Sequence, residues 1–208
     1  MSLKPYYQDD NVTIYHGDCR QIVPQLGKFD LMLTDPPYGI NMDGGNVGYK
    51  GKNNFEKKNW DQSAPNPLLL QGLLLSAKKS IIWGGNYMGL PPTRQWLVWD
   101  KGAGFKGRTY AEAELAWTSL DSNVRVLQYD PLAKGDYKGK LHPTQKPLEV
   151  FKWCINIANQ SDTILDPFAG SGTTGRAAKD LNKKAVLIEK DEDYCKAAAT
   201  RMAQEVLL

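Results

Sequence analysis

The chain has 208 residues, 41% hydrophobic and 24% charged, with a net charge of +3 at pH 7; this describes one globular domain large enough to bury a real core, with too little charge to argue for a nucleic-acid partner by itself. Its longest apolar stretch, Leu68 to Leu75, is interrupted by Gln71 and is too short to cross a bilayer, so no membrane partner is expected. Cys19, Cys154 and Cys195 are scattered without a Cys-x-x-Cys pair and no signal peptide is visible, which argues against a disulfide framework or a metal site and for a cytoplasmic location.

The first predicted strand, Val12 to Tyr15, leads into Tyr15-His16-Gly17-Asp18-Cys19. The second, Leu31 to Thr34, closes the apolar run from Phe29 and ends in Asp35-Pro36-Pro37-Tyr38. Each residue of that tetrapeptide has a physical use there. Asp35 accepts hydrogen bonds from an amino group, and Pro36 has a carbonyl but no competing N–H. A residue before proline is pushed to extended geometry, so Asp35 and Pro36 are stiff. Tyr38 offers a flat face for a planar base. An acceptor pair beside a stacking platform suits a planar amine, though Asp-Pro-Pro alone is also an ordinary turn signal.

The span from Asn41 to Asp61 is rich in Gly, Asn and Lys and shows no apolar period, so a long mobile loop is expected. Lys50, Lys52, Lys57 and Lys58 are placed to track phosphates, and Tyr49, Phe55 and Trp60 to stack on bases. A helix from Pro67 to Ala77 and strands at Ser80 to Trp83, Gln95 to Trp99, Glu114 to Trp117 and Arg125 to Gln128 follow. Basic, Gly-containing stretches at Lys101 to Arg108 and at Lys134, Lys138 and Lys140 read as further loops with a weaker claim on phosphate.

A helix from Pro147 to Ala158 precedes a β-branched run, Thr163 to Leu165, and then Asp166-Pro167-Phe168-Ala169-Gly170-Ser171-Gly172-Thr173-Thr174. With a helix from Gly172 to Leu181 this is a strand, a Gly-x-Gly turn and a helix, the opening of a nucleotide-binding βαβ unit. A strand from Ala185 to Ile188 brings Glu189 to the place where an acid accepts ribose hydroxyls. The loop lacks the dinucleotide fingerprint and the Lys-Ser/Thr pair of a phosphate loop, so the ligand carries a ribose without a pyrophosphate. S-adenosyl-L-methionine fits. The last helix spans Asp191 to Gln204.

Taken together these segments resemble the amino-methyltransferases of DNA in their permuted, beta-class arrangement, with the catalytic motif ahead of the cofactor loop. The resemblance implies that Asp35, Pro36, Pro37 and Tyr38 form the catalytic motif. It implies that Asp166, Pro167, Phe168, Gly170, Gly172 and Thr173 line the cofactor loop, with Asp35 at its edge. Asp18, next to Cys19, matches the acid at the adenine; His142, Thr144 and Lys146 match the segment holding the methionine part; Glu189, followed by Lys190, matches the ribose acid. The expected fold is α/β and Rossmann-like: a mixed, mostly parallel sheet with helices on both faces. One methyltransferase domain fills the chain, with a catalytic half near 10–130 and a cofactor half near 140–208.

The implied activity is methylation of adenine N6 in double-stranded DNA by base flipping. N4-cytosine methylation is the alternative; a methyltransferase of RNA or of a protein amide and a silent DNA-binding protein are more distant ones. Only about residues 120–141 remain for target recognition, too few for a separate domain. A minimal enzyme with a short or loose target site is expected, and a homodimer would extend its grip.

Overall fold

A computed structural model describes residues 3–41, 45–47, 53–55, 61–136 and 145–204 of the chain. Among the described residues eleven strands are formed: β1 (Tyr7–Gln8), β2 (Val12–His16), β3 (Phe29–Thr34), β4 (Gly45–Val47), β5 (Asn53–Phe55), β6 (Ala77–Trp83), β7 (Trp96–Asp100), β8 (Ala113–Thr118), β9 (Arg125–Gln128), β10 (Thr163–Asp166) and β11 (Lys184–Glu189). The helices are α1 (Cys19–Ile22), α2 (Pro67–Leu74), α3 (Pro131–Lys134), α4 (Leu148–Ala158), α5 (Thr173–Asp180) and α6 (Glu192–Met202).

Nine strands make one sheet in the order β1-β2-β11-β10-β3-β6-β8-β7-β9. From β2 to β6 all neighbours are parallel; β8 is antiparallel to β6 and to β7, and β7 and β9 are parallel. The central strands are apolar on both faces, as a covered parallel sheet requires. In β3, Leu31 and Leu33 point to one side and Met32 to the other, and none of the three has measurable exposure. The first side packs against α4, α5 and α6 through Phe151, Cys154, Ala177, Ala198 and Met202. The second packs against α1 and α2 through Cys19, Ile22 and Leu73. Each large aliphatic side chain buried this way contributes about 1.5–3 kcal/mol.

The helix starts follow capping chemistry. Asp18, Asn66, Asp130 and Asp191 each accept a backbone N–H in the first turn of α1, α2, α3 and α6, and Pro67 and Pro131 sit at first helical positions.

Eight of the strands lie where the sequence patterns put them, with ends shifted by at most three residues. The expectation of an unstructured loop from Asn41 to Asp61 is corrected, because β4 and β5 form an antiparallel ribbon with Gly45 opposite Phe55 and Val47 opposite Asn53. Three-residue strands are too short to display a period. Lys50, Lys52, Lys57, Lys58, Tyr49 and Trp60 lie outside the described residues, as do Lys138 and Lys140. Within the expected recognition segment, Arg125–Gln128 is the edge strand β9 and belongs to the sheet.

The chain leaves β3 toward β6 on one side and leaves β10 toward β11 on the other. The strand order therefore reverses between β3 and β10, and in such sheets the carboxyl ends of the strands at the reversal are where ligands are held.

Candidate active site

The two motifs singled out in the sequence meet at that reversal point. Thr34, the last residue of β3, donates its hydroxyl to Asp166 Oδ1 at 2.7 Å across 132 positions of sequence. Thr174 Oγ1 donates to Asp166 Oδ2, and the Phe168 amide donates to Oδ1 at 3.1 Å. Asp166 is only 2% exposed, and burial pushes its carboxyl up to about 6 in spite of these donors. Its oxygens tie β3, the glycine turn and α5 together and are turned inward.

Asp35 follows directly. Its Oδ1 accepts the Tyr38 hydroxyl at 2.5 Å, and its Oδ2 accepts Lys146 Nζ at 2.5 Å. Burial pushes the Asp35 carboxyl up, against the pull of Lys146. The turn beyond it is pinned by Asp61, which is 2% exposed and whose Oδ1 takes the amides of Tyr38 at 2.7 Å and Gly39 at 2.8 Å. Pro36 is buried and Pro37 partly so. The Tyr38 ring is stacked on Tyr87, with centroids 5.3 Å apart and planes 20° from parallel. A Cβ on Gly84 would lie 2.0 Å from Tyr38 Cε1 and 2.4 and 2.5 Å from the two adjoining ring carbons, so Gly84 abuts the face of the ring.

Behind Asp35 lies a set of charges of which the motifs announced only Lys146, and that as part of the segment for the methionine part of the cofactor. Lys146, with a side chain 4% exposed, also reaches Glu114 Oε2 at 3.2 Å and Tyr38 Oη at 2.8 Å. Glu114 Oε1 binds Lys101 Nζ at 2.6 Å. Burial alone would raise the Glu114 carboxyl, but Lys146 and Lys101 bring it down to about 2. Burial would likewise depress Lys146, and Asp35 and Glu114 more than offset it. Lys101 is therefore engaged inside the molecule, and the weaker claim of its stretch on phosphate does not extend to it. A charged residue within the otherwise apolar strand Ala113–Thr118 was the available signal for Glu114.

The segments expected to hold the cofactor lie next to Asp166 and Glu189. Glu189 Oε2 accepts the Gly170 amide at 2.7 Å, while Oε1 accepts the amides of Lys190 and Asp191, both at 2.8 Å. Burial raises the Glu189 carboxyl. The Gly17 amide donates to the Glu189 carbonyl at 2.8 Å, which lays Tyr15–Cys19 beside it. Asp18 caps α1 and pairs with Arg20 at 2.5 Å, and the Arg20 hydrogen bond holds its carboxyl down at about 2. Cys19 is buried, and burial raises its thiol to about 11.

The glycine turn is shaped by a close approach. Gly172, at φ +77°, lies where a Cβ would come within 2.9 Å of Ala198 Cβ. Thr173 opens α5 and accepts Arg201 Nη1 at 3.1 Å. Pro167 is buried, Phe168 and Gly170 are partly buried, and Lys190 is exposed. Gln145 receives the Ser171 hydroxyl at 3.3 Å, so Gln145 and Lys146 bridge the glycine turn and Asp35. Sequence reading passed over Gln145 and Ser171. His142 and Thr144 lie outside the described residues. Among the described residues no cluster of His, Cys, Asp and Glu is placed to hold a metal, and no helix is long and apolar enough to cross a membrane.

Residues 79–200 match the model of a protein family described as DNA methylase, N6_N4_Mtase. The chain belongs to this family of DNA methylases. The matched span runs from β6 to α6 and holds Glu114, Lys146, the glycine turn and Glu189; Asp35 and Tyr38 precede it. Longer similarity covers that part of the methylase too. Type II methyltransferase M2.MboI of Moraxella bovis is 27% identical over 97% of this chain and 92% of its own length, and M.ScaI of Streptomyces caespitosus is 26% identical over 97% and 84%. Among solved structures, the M1.HpyAVI–SAM complex superposes with a TM-score of 0.62 at 21% identity, covering 93% of this chain and all of that one. PvuII DNA methyltransferase, described as cytosine-N4-specific, gives 0.62 at 18% identity over 99% and 91%. At such identities these structures speak to the fold alone, and the fold of the methylase is the expected Rossmann-like one.

Proposed function

We propose that the chain transfers the methyl group of S-adenosyl-L-methionine to the N6 amino group of adenine in double-stranded DNA, acting on a base flipped out of the helix. The observation that carries this reading is the placement of Asp35 beside the glycine turn at the point where strand order reverses. There a base amine held by Asp35 and a ligand held by the turn share one crevice.

The residues present suit the adenosyl cofactor. A carboxylate has about four lone-pair positions, and Glu189 uses three of them on backbone amides. One is left, on Oε2, for a ribose hydroxyl. The Gly170–Gly172 turn gives the close backbone approach, Tyr15–Cys19 forms a side wall, and Gln145 and Lys146 carry the edge toward Asp35. When bound, the cofactor supplies an electrophilic methyl group on a sulfonium. The chain does the rest by positioning and by excluding water. Asp35 and the Pro36 carbonyl accept the two amino hydrogens, which draws the nitrogen lone pair out of the ring and aims it. An amino group is out of reach while its base is paired and stacked, so the base has to leave the duplex. It then competes with Tyr87 for the ring of Tyr38.

The Asp-Pro-Pro-Tyr form favours adenine, because its resemblance is to the adenine-specific members of the permuted group. The structural likeness to a cytosine-N4-specific enzyme keeps N4-cytosine as the second reading. Likeness to Type II methyltransferases supports a role as the modification partner in restriction–modification. Two assays decide. DNA methylated by the chain, digested to nucleosides, is expected to contain N6-methyladenine; N4-methylcytosine alone would overturn the choice of base. Asp35→Ala is expected to lose about 10³-fold or more in kcat with cofactor binding nearly intact, and full activity of that variant would remove Asp35 from the mechanism.

A further inference from the structure

Asp35 and three further charged side chains, drawn from four parts of the fold, form one row. Lys146 bridges Asp35 at 2.5 Å and Glu114 at 3.2 Å, and Lys101 closes the row on the far oxygen of Glu114 at 2.6 Å. Lys101 is itself held over the rings of Trp99 and Phe105, at 5.2 and 5.3 Å from their centroids. Two carboxylates and two ammonium groups thus cancel in a largely buried row, as charges removed from water must. Glu114 touches Asp35 only by way of their shared partner Lys146, although its charge is also felt at Asp35 directly.

The reaction gives that balance a purpose. In methyl transfer the amine lone pair forms the new N–C bond, and the pair of the broken C–S bond stays on sulfur. The sulfonium's positive charge therefore passes to the amine, beside Asp35, until a proton leaves through that carboxylate to solvent. An uncompensated ammonium at the position of Lys146 would oppose the arrival of this charge and weaken Asp35 as an acceptor. We propose that Glu114 is a positioning residue of the transfer step: through Lys146 it keeps the charge around Asp35 balanced, and Lys101 holds Glu114 in place. This rests on the methyl-transfer reading above.

The test compares Glu114→Gln with the charge-compensated double variant Glu114→Gln/Lys101→Met, using the full chain, duplex DNA and radiolabelled cofactor. The single variant leaves the row with one excess positive charge. Its kcat is expected to fall roughly tenfold to hundredfold, while the KM for DNA and the Kd for cofactor stay within about twofold. The double variant is neutral again and is expected to recover most of the lost kcat. A merely structural role predicts the reverse, since the double variant lacks two buried partners. Wild-type kcat in Glu114→Gln, or a double variant no faster than the single one, overturns the proposal. Should thermal melting show the single variant unfolded, the double variant must transfer within about tenfold of the parent, and a slower one overturns it. Asp35→Ala run alongside separates the two readings. An active Asp35→Ala removes the methyl-transfer mechanism, whereas a dead one beside a fully active Glu114→Gln removes only the role of Glu114.

Discussion

Tyr38 shows how narrowly single residues set this site. Its hydroxyl is on Asp35, its amide is on Asp61, and its ring lies against the bare backbone of Gly84. Gly84 also has φ +67°, so a side chain there meets both a strained backbone and an aromatic ring at 2.0 Å. Gly84→Ala is expected to destabilise the protein by about 2–4 kcal/mol in denaturant unfolding. Because Tyr38 must shift, kcat is expected to fall roughly hundredfold, as for other displacements near 1 Å. Equal activity of Gly84→Ala would mean that the position of the Tyr38 ring is immaterial. The Asp35–Tyr38 motif was legible because its chemistry is local: proline stiffness and an acid after a strand can be read in four letters. The partners that hold it were not. Asp61, Gly84, Glu114 and Lys101 reach it through tertiary contacts, and no spacing along the chain marks residues that meet only when β3, β6, β7 and β8 lie side by side.

At the scale of elements, Asp166 is the joint between β3, β10 and α5. Burial raises its carboxyl from 3.8 to about 6, so in the folded protein the protonated form is favoured relative to the unfolded chain. The sign follows from linkage. The stabilisation is full below about pH 4 and is lost as pH rises through about 6, a change of about 3 kcal/mol. Asp166→Asn cannot titrate there. The unfolding free energy of the parent minus that of Asp166→Asn is therefore expected to drop by that amount between about pH 4 and pH 7, and a pH-independent difference would refute it. The elements themselves were readable wherever burial on both faces enforced uninterrupted apolar residues, as in Leu31–Leu33 of β3, Ile81–Trp83 of β6 and Ala185–Ile188 of β11. They were not readable in Tyr7–Gln8, Gly45–Val47 and Asn53–Phe55, which are too short for a period, nor in α1, a four-residue turn whose cap, Asp18, carries the stronger likeness to an adenine contact.

For the molecule as a whole, a net charge of +3 leaves DNA binding to local placement. Lys50, Lys52, Lys57 and Lys58, near the Asp35 turn in sequence, are the proposed phosphate ligands. Replacing all four with Ala is expected to weaken DNA binding and to flatten the plot of log K against log salt by about 0.9 for each phosphate that is no longer neutralised. Cofactor affinity should not change. An unchanged slope would send the search for the DNA track to another face. Within the expected recognition segment β9 serves the sheet edge, which leaves still fewer residues for reading a target and fits a short or loose target site.

The strand order has one more consequence, in time. β2 and β3 emerge early in synthesis, yet they are not neighbours: β11 and β10, made last, lie between them. At roughly 5–20 residues per second, the nascent chain carries Asp35 for about 6–26 seconds before β10, the late-made neighbour of β3, exists. Through that interval Thr34 lacks Asp166, and β2 and β3 stand with open edges across a two-strand gap. The proposed catalytic residues come first off the ribosome, but the glycine turn they face arrives only with β10 and β11, and a truncated product would carry the motif without that partner.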